Sequence, residues 1–315
     1  MSDPWFLADP GRFGATSLSE NVILSPYILL LVAGGVAPQM WLQPGEARPG
    51  DAVLVRVYGG TEAPEGELNG KALDFAPLGD GWVAIFGLSV DQAKASLPLW
   101  VRVATKEGEV ELDGSLEVKE PNFPARELTV SKKFTSPDKK AKKRMRDDQR
   151  AFDKAFAQDF EPPRFTENFA MPRPSVTTAP FGDLRMFNGK KKSQHFGEDL
   201  DGAIGNPAYA SNDGVVVMAR ECFGSGNTIL IHHGLGLYTA YFHLSKLMAR
   251  VGDKLKRGQQ LGLVGKTGRV TGPHLHFGAK LEGRWVNPES VLRLDFVGPR
   301  PARLPATGAL NAAVP

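Results

Sequence analysis

The stretch from residue 166 to about residue 296 constrains this chain most, because it reads as a succession of short strands separated by glycines. "GVVVMAR", "NTILIHHG", "LYTAYFHL", "QQLGLVGKTG" and "HLHFGAKLEG" follow one another with no long amphipathic helix between them. Parallel strands need helical crossovers, so this spacing predicts a mainly antiparallel sheet. The region from about 38 to 130 is also strand-like. In "DAVLVRVYGG", Val53, Val55 and Val57 alternate with Leu54, Arg56 and Tyr58, and Asp113-Gly114 reads as a two-residue hairpin turn. Short strands at such spacing suggest a small immunoglobulin-like β-sandwich.

Between these regions, "SPDKKAKKRMRDDQRAFDKAFAQDF" (136–160) has helical character. Ser136 is placed to cap the helix, Pro137 suits its first position, and Asp138 favours the N-terminal dipole. Met145, Phe152, Phe156 and Phe160 form an apolar stripe expected to pack on a neighbouring domain, with the Lys/Arg run 139–146 as a solvated face. The chain is thus mainly β: a leader-like segment (1–37), an N-terminal β-sandwich (38–130), a helical linker (131–165), an antiparallel C-terminal domain (166–296) and a Pro/Ala/Gly tail (297–315) expected to be disordered.

Composition narrows the chemistry. A net charge of +3 is too slight to argue for nucleic acid, and no basic stripe interleaved with aromatics is present. The single cysteine, Cys222, excludes an intrachain disulfide framework and a Cys-based zinc cluster, and reads as a packed residue. "NVILSPYILLLVAGGVA" (21–37) is too short and interrupted for a transmembrane helix, but within it Tyr27 to Ala37 has the length and small-residue ending of a signal-peptide core. We therefore expect export to the periplasm or the extracellular space, through a cleaved signal or an N-terminal membrane anchor, with no stable membrane span after processing.

All six histidines lie in the second half. "TGPHLHFG" places His274 and His276 on one face of a strand, about 6.5–7 Å apart, with Leu275 on the other. "QHFGEDLDGA" supplies His195 and, four residues on, Asp199. A mononuclear catalytic zinc takes three protein ligands and leaves a position for water, so His195, Asp199 and one histidine of the pair meet the requirement. His232 and His233 point to opposite faces of their strand, and Tyr241 alternates onto the face of His243. Asn188-Gly189 reads as a hairpin turn.

The set "HFGED", "YTAYFHLSK" and "VGDKLKRGQQLGLVGKTGRVTGPHLHFG" resembles the lysostaphin/LytM-type zinc metallopeptidases, bacterial endopeptidases that cut peptide cross-links of peptidoglycan. The resemblance covers roughly residues 178–292. It implies one Zn2+ per chain held by His195, Asp199 and His276, with His243 and His274 as the catalytic histidines, and peptidoglycan peptides as the partner. Degenerate relatives that have lost metal ligands instead activate cell-wall amidases; here every ligand position is filled, so an active hydrolase is the expectation. The bond that is cut and the oligomeric state are not fixed by one sequence.

Overall fold

Alternating apolar residues at the start of the second region lead directly to two packed sheets. A computed structural model of the chain describes residues 37–298 except 132, 133, 135 and 190, with 191 and 192 described by their backbone only. The leader-like segment, apart from Ala37, and the tail beyond 298 lie outside the described residues. One sheet runs Gln39–Gln43, Ala52–Tyr58, Gly81–Gly87, Ala76–Leu78, and a second runs Glu46–Ala47, Gly108–Val118, Ala95–Thr105, Glu65–Leu68, Lys71–Ala72. Val53, Val55, Val57 and Phe86 of the first meet Leu97, Leu99, Val101, Val103 and Leu116 of the second in one buried core. Each such side chain, fully buried, contributes about 1.5–3 kcal/mol.

Asp113-Gly114 is not a turn. The Ala95–Thr105 and Gly108–Val118 strands pair without interruption, Asp113 opposite Trp100 and Gly114 opposite Leu99. The hairpin closes instead at Lys106-Glu107, where Thr105 Oγ1 donates to Gly108 O at 2.7 Å and Gly108 takes a φ of +129°. Gly114 matters for packing, since a Cβ there would sit 3.3 Å from Met40 Cε.

The Ala52–Tyr58 strand is buried along its whole length. Its alternation does not separate a wet face from a dry one, because Ala52 and Leu54 enter a second core with Phe165, Phe169, Leu237, Leu281, Val286, Val291 and Phe296. Arg56 lies on that face too, 4% exposed, and its guanidinium donates to Phe296 O. The first sheet therefore has apolar cores on both sides.

The basic helix spans Lys139–Phe156. It begins later than Ser136 and Pro137 suggest, because Asp138 is the N-cap: its backbone is extended and its carboxylate accepts from Ala141 N at 2.7 Å. Phe152 and Phe156 pack against a buried group that includes Met218, Leu230 and Ala240, whereas Met145 and Phe160 are exposed. Asp148, buried, accepts from Phe223 N at 2.6 Å and Arg220 at 3.0 Å, tying the helix to the end of the Gly214–Cys222 strand.

The C-terminal half is built on an eight-stranded sheet ordered Thr177–Ala179, Glu198–Asp201, His274–Leu281, Leu237–Leu244, Gly226–His232, Gly214–Cys222, Lys254–Leu255, with Arg284–Val286 paired to His274–Leu281. All its pairings are antiparallel, as the missing crossover helices require. Leu200, Ile229, Ile231, Tyr241, Leu275 and Phe277 form the core under one face. Ala125–Leu128 pairs in parallel with Leu184–Phe187, bringing the chain before the helix against the edge of the site. Among the described residues no helix is long and apolar enough to cross a membrane.

Candidate metal centre

Antiparallel pairing places Asp199 opposite His276 and Asp201 opposite His274, so these four side chains share a face. His195 enters from the turn just before the Glu198–Asp201 strand. Its backbone is anchored by His195 N donating to Asp183 O (2.8 Å) and by His195 O accepting from Gly182 N (2.8 Å). The outcome is a triangle: His195 Nε2, Asp199 Oδ1 and His276 Nδ1 lie 3.0 Å from one another. All three residues are buried.

Protons alone do not satisfy that triangle. His195 Nδ1 donates to Pro180 O at 2.8 Å, so the neutral ring presents a bare lone pair at Nε2. Burial alone would raise the Asp199 carboxyl, but the contacts with His195 and His276 outweigh it and hold the group far below the usual carboxylate range. Burial lowers His276 to about 4, so that ring is neutral as well. One proton on His276 Nδ1 would still leave His195 Nε2 facing Asp199 Oδ1, lone pair to lone pair. A cation resolves the conflict, and a tetrahedral zinc with bonds of about 2.0–2.1 Å would want ligand atoms about 3.3 Å apart. The donor set therefore fits zinc. Arg185 donates to the other Asp199 oxygen at 2.9 Å and fixes the plane of the carboxylate.

The two remaining histidines stand beside the triangle. His243 donates from Nδ1 to Thr267 O at 2.8 Å, and His274 from Nδ1 to Gly272 O at 3.0 Å, so each neutral ring keeps its basic lone pair on Nε2. Their ring centroids are 5.0 Å apart. His274 Nε2 is 3.4 Å from Asp199 Oδ1 but does not join the close triangle. Burial, then the neighbouring His276 and His274, hold His243 well below the ordinary histidine range. A cavity of about 680 Å³ opens over all five residues, walled by Phe152 and Phe156 of the helix, Phe242, Trp285 and the loop 269–273.

Tyr241 does not reach this cavity. His243 has a φ of +64° at an irregularity in the pairing of Leu237–Leu244 with Gly226–His232, and strict alternation breaks there. Phe242 and His243 therefore both line the site, Phe242 stacking on His276 at 5.0 Å, while Tyr241 is buried with its hydroxyl accepting from Ser211 N at 2.9 Å. His233 is committed to Asp213 O and Thr239 Oγ1, both at 2.7 Å, and His232 stacks on Tyr238 at 4.6 Å. Asn188 (φ +53°) and Gly189 (φ +65°) turn the hairpin, and the Asn188 carboxamide is engaged with Val130 N and O. Cys222 is buried, and burial raises its thiol. Sequence reasoning missed Arg185 and Phe242: the first lies fourteen residues from Asp199, the carboxylate it meets, and the second falls on the wrong face under simple alternation.

The profile of Peptidase family M23 matches residues 193–288. Over 98 residues the chain is 50% identical to the peptidoglycan DD-endopeptidase ShyA of Vibrio cholerae serotype O1, covering 31% of this chain and 23% of that protein. Over 97 residues it is 43% identical to the DD-carboxypeptidase/endopeptidase Mpg of Neisseria meningitidis serogroup B, covering 31% of this chain and 22% of that one. The match thus spans less than a quarter of these curated relatives. A crystal structure of a peptidase M23 from Pseudomonas aeruginosa shares the fold over 78% of this chain and 94% of its own, with a TM-score of 0.56 at 24% identity. The His-Asp-His triangle lies wholly within residues 193–288, the segment that matches Peptidase family M23.

Proposed function

We propose that this protein is a zinc-dependent endopeptidase that hydrolyses peptides of bacterial peptidoglycan, with His195, Asp199 and His276 holding one zinc. The observation that supports it best is the buried triangle of ligand atoms at 3.0 Å with two tautomer-fixed histidines at its edge. When bound, zinc supplies Lewis acidity toward a carbonyl and brings the pKa of a ligating water toward about 7. The protein's own groups do the rest. His243 and His274, each with Nδ1 held by a backbone carbonyl, use Nε2 to accept the proton of the attacking water and return it to the leaving amine. Backbone carbonyls of Thr267 and Gly272 hold both rings in that tautomer. Phe242 and Trp285 form an apolar wall that excludes bulk water from one side.

Peptidoglycan as substrate is supported by the names of the relatives, and an enzyme with that substrate would work outside the cytoplasmic membrane. A non-enzymatic role as an amidase activator is the second reading. The full set of five residues argues against it.

The test is metal analysis beside fragment analysis. The purified full chain should carry about one zinc, release cut cross-links from peptidoglycan by mass spectrometry, lose that activity to a chelator and regain it with zinc. A zinc-loaded chain that releases no fragment yet stimulates an amidase would move the assignment to the regulatory reading.

A further inference from the structure

One cation in the cavity has no use in the chemistry described so far. Arg269 lies in the loop that carries Thr267 and leads to His274, and its guanidinium sits 4.8 Å from the centroid of the Phe187 ring. Among the described residues no carboxylate pairs with it. Of the carboxylates that line the cavity, Asp148 is committed to Arg220 and Phe223 N, Asp199 to Arg185 and the triangle, and Asp201 forms no ion pair with Arg269. Of the other cations in the lining, Arg126 is paired with Asp183 at 2.8 Å and Lys280 stands over the Phe156 ring at 4.0 Å. Burial lowers Arg269 below its ordinary range and Arg185 lowers it further. The protein has thus partly desolvated a guanidinium and left its counter-charge to be supplied.

Position tells which anion is suited. Arg185 and Phe187 are two apart on one strand, so they share a face about 6.5–7 Å apart. Arg185 touches Asp199, and Arg269 stacks on Phe187, so the free guanidinium lies one step along that face from the metal triangle. An extended peptide advances about 3.3–3.6 Å per residue, and a group within about two residues of the scissile carbonyl reaches it. Contact with the Phe187 ring holds the guanidinium in place and leaves its N–H fork for a bidentate partner.

We propose that Arg269, with Arg185 behind it, is a specificity-determining subsite for a free carboxylate of the peptide substrate, close to the bond that is cut. This rests on the endopeptidase reading above. It requires that amidating that carboxylate weaken recognition, because an amide presents a donor and no charge to the fork.

The test uses the zinc-loaded full chain and the Arg269→Gln variant, with cross-linked muropeptides whose carboxylate beside the scissile bond is free or amidated. Cleavage is measured together with binding of an uncleaved product peptide in the same two forms. The wild type should prefer the free carboxylate by roughly 10–100-fold in kcat/KM and in Kd, and Arg269→Gln should bring both ratios close to one while zinc content and melting temperature stay near wild type. Equal handling of the two forms by the wild type, or a preference kept by the variant, overturns the subsite. Arg269-dependent binding of the free form without any cleavage sustains the subsite and removes the endopeptidase reading instead.

Discussion

Asp199 and His276 face each other across neighbouring antiparallel strands, with Asp199 Oδ1 3.0 Å from His276 Nδ1. That cross-strand pair fixes which histidine of the HLH motif completes the triangle. His274, one register step away opposite Asp201, meets the same carboxylate only at 3.4 Å.

His276→Ala should therefore lose tight zinc and activity together. His274→Ala and His243→Ala should keep about one zinc per chain and lose turnover by on the order of 10²–10⁴. Zinc content and cleavage rate for each variant at pH 7 decide this. A His274→Ala chain without metal beside a His276→Ala chain that retains it reverses the assignment.

Gly197 sits against the His276 ring. A Cβ there would lie 2.5 Å from His276 Nε2 and 2.7 Å from Phe277 O. Gly197→Ala should displace the ring without removing a ligand, and zinc affinity should fall by roughly 10–100-fold. Competition with a chelator of known affinity measures it; unchanged affinity would show that the strand yields instead of the ring.

His233 should make the fold acid-sensitive away from the metal. Burial lowers it from 6.5 to about 4, so the unfolded chain binds the proton more readily than the native one. Its contribution is fully present above pH 6.5 and is lost as pH falls toward 4, on the order of 3 kcal/mol in all. Urea unfolding of the zinc-free protein across that window should show the decline, and His233→Gln should flatten it. Identical slopes in both proteins would place the acid sensitivity elsewhere.

Removing residues 1–164 should leave the metal ligands but expose a large apolar surface. Leu237, Leu281, Val286 and Phe296 would lose Leu54 and Ile85, and Trp285 would lose Phe156. Contiguous apolar patches of this kind drive association. The truncated chain should elute as aggregates or melt at least 10 °C lower than the full chain, a shift that corresponds to a few kcal/mol. A monomeric fragment with unchanged melting would show that the shared core contributes little.

The sequence by itself determined the antiparallel β class and most of the site. Missing crossover helices favour a mainly antiparallel sheet over a parallel α/β one, and H-x-x-x-D and H-x-H are short spacings that one strand and one turn translate directly into geometry. It also indicated the Asn188-Gly189 turn, where both residues need positive φ. Tertiary structure decided what depends on partners distant in sequence. Asp113-Gly114 stays extended because eleven consecutive cross-strand pairs outweigh a local turn preference. Tyr241 turns inward and Phe242 joins His243 in the cavity because the backbone is irregular at His243, which residue identity does not announce. The Ala52–Tyr58 strand is buried on both faces because a second core closes over it, and Arg185 and Arg269 acquire their places only when strands far apart in the chain meet. Local periodicity reports which side of a strand a residue occupies; only packing reports what lies on that side.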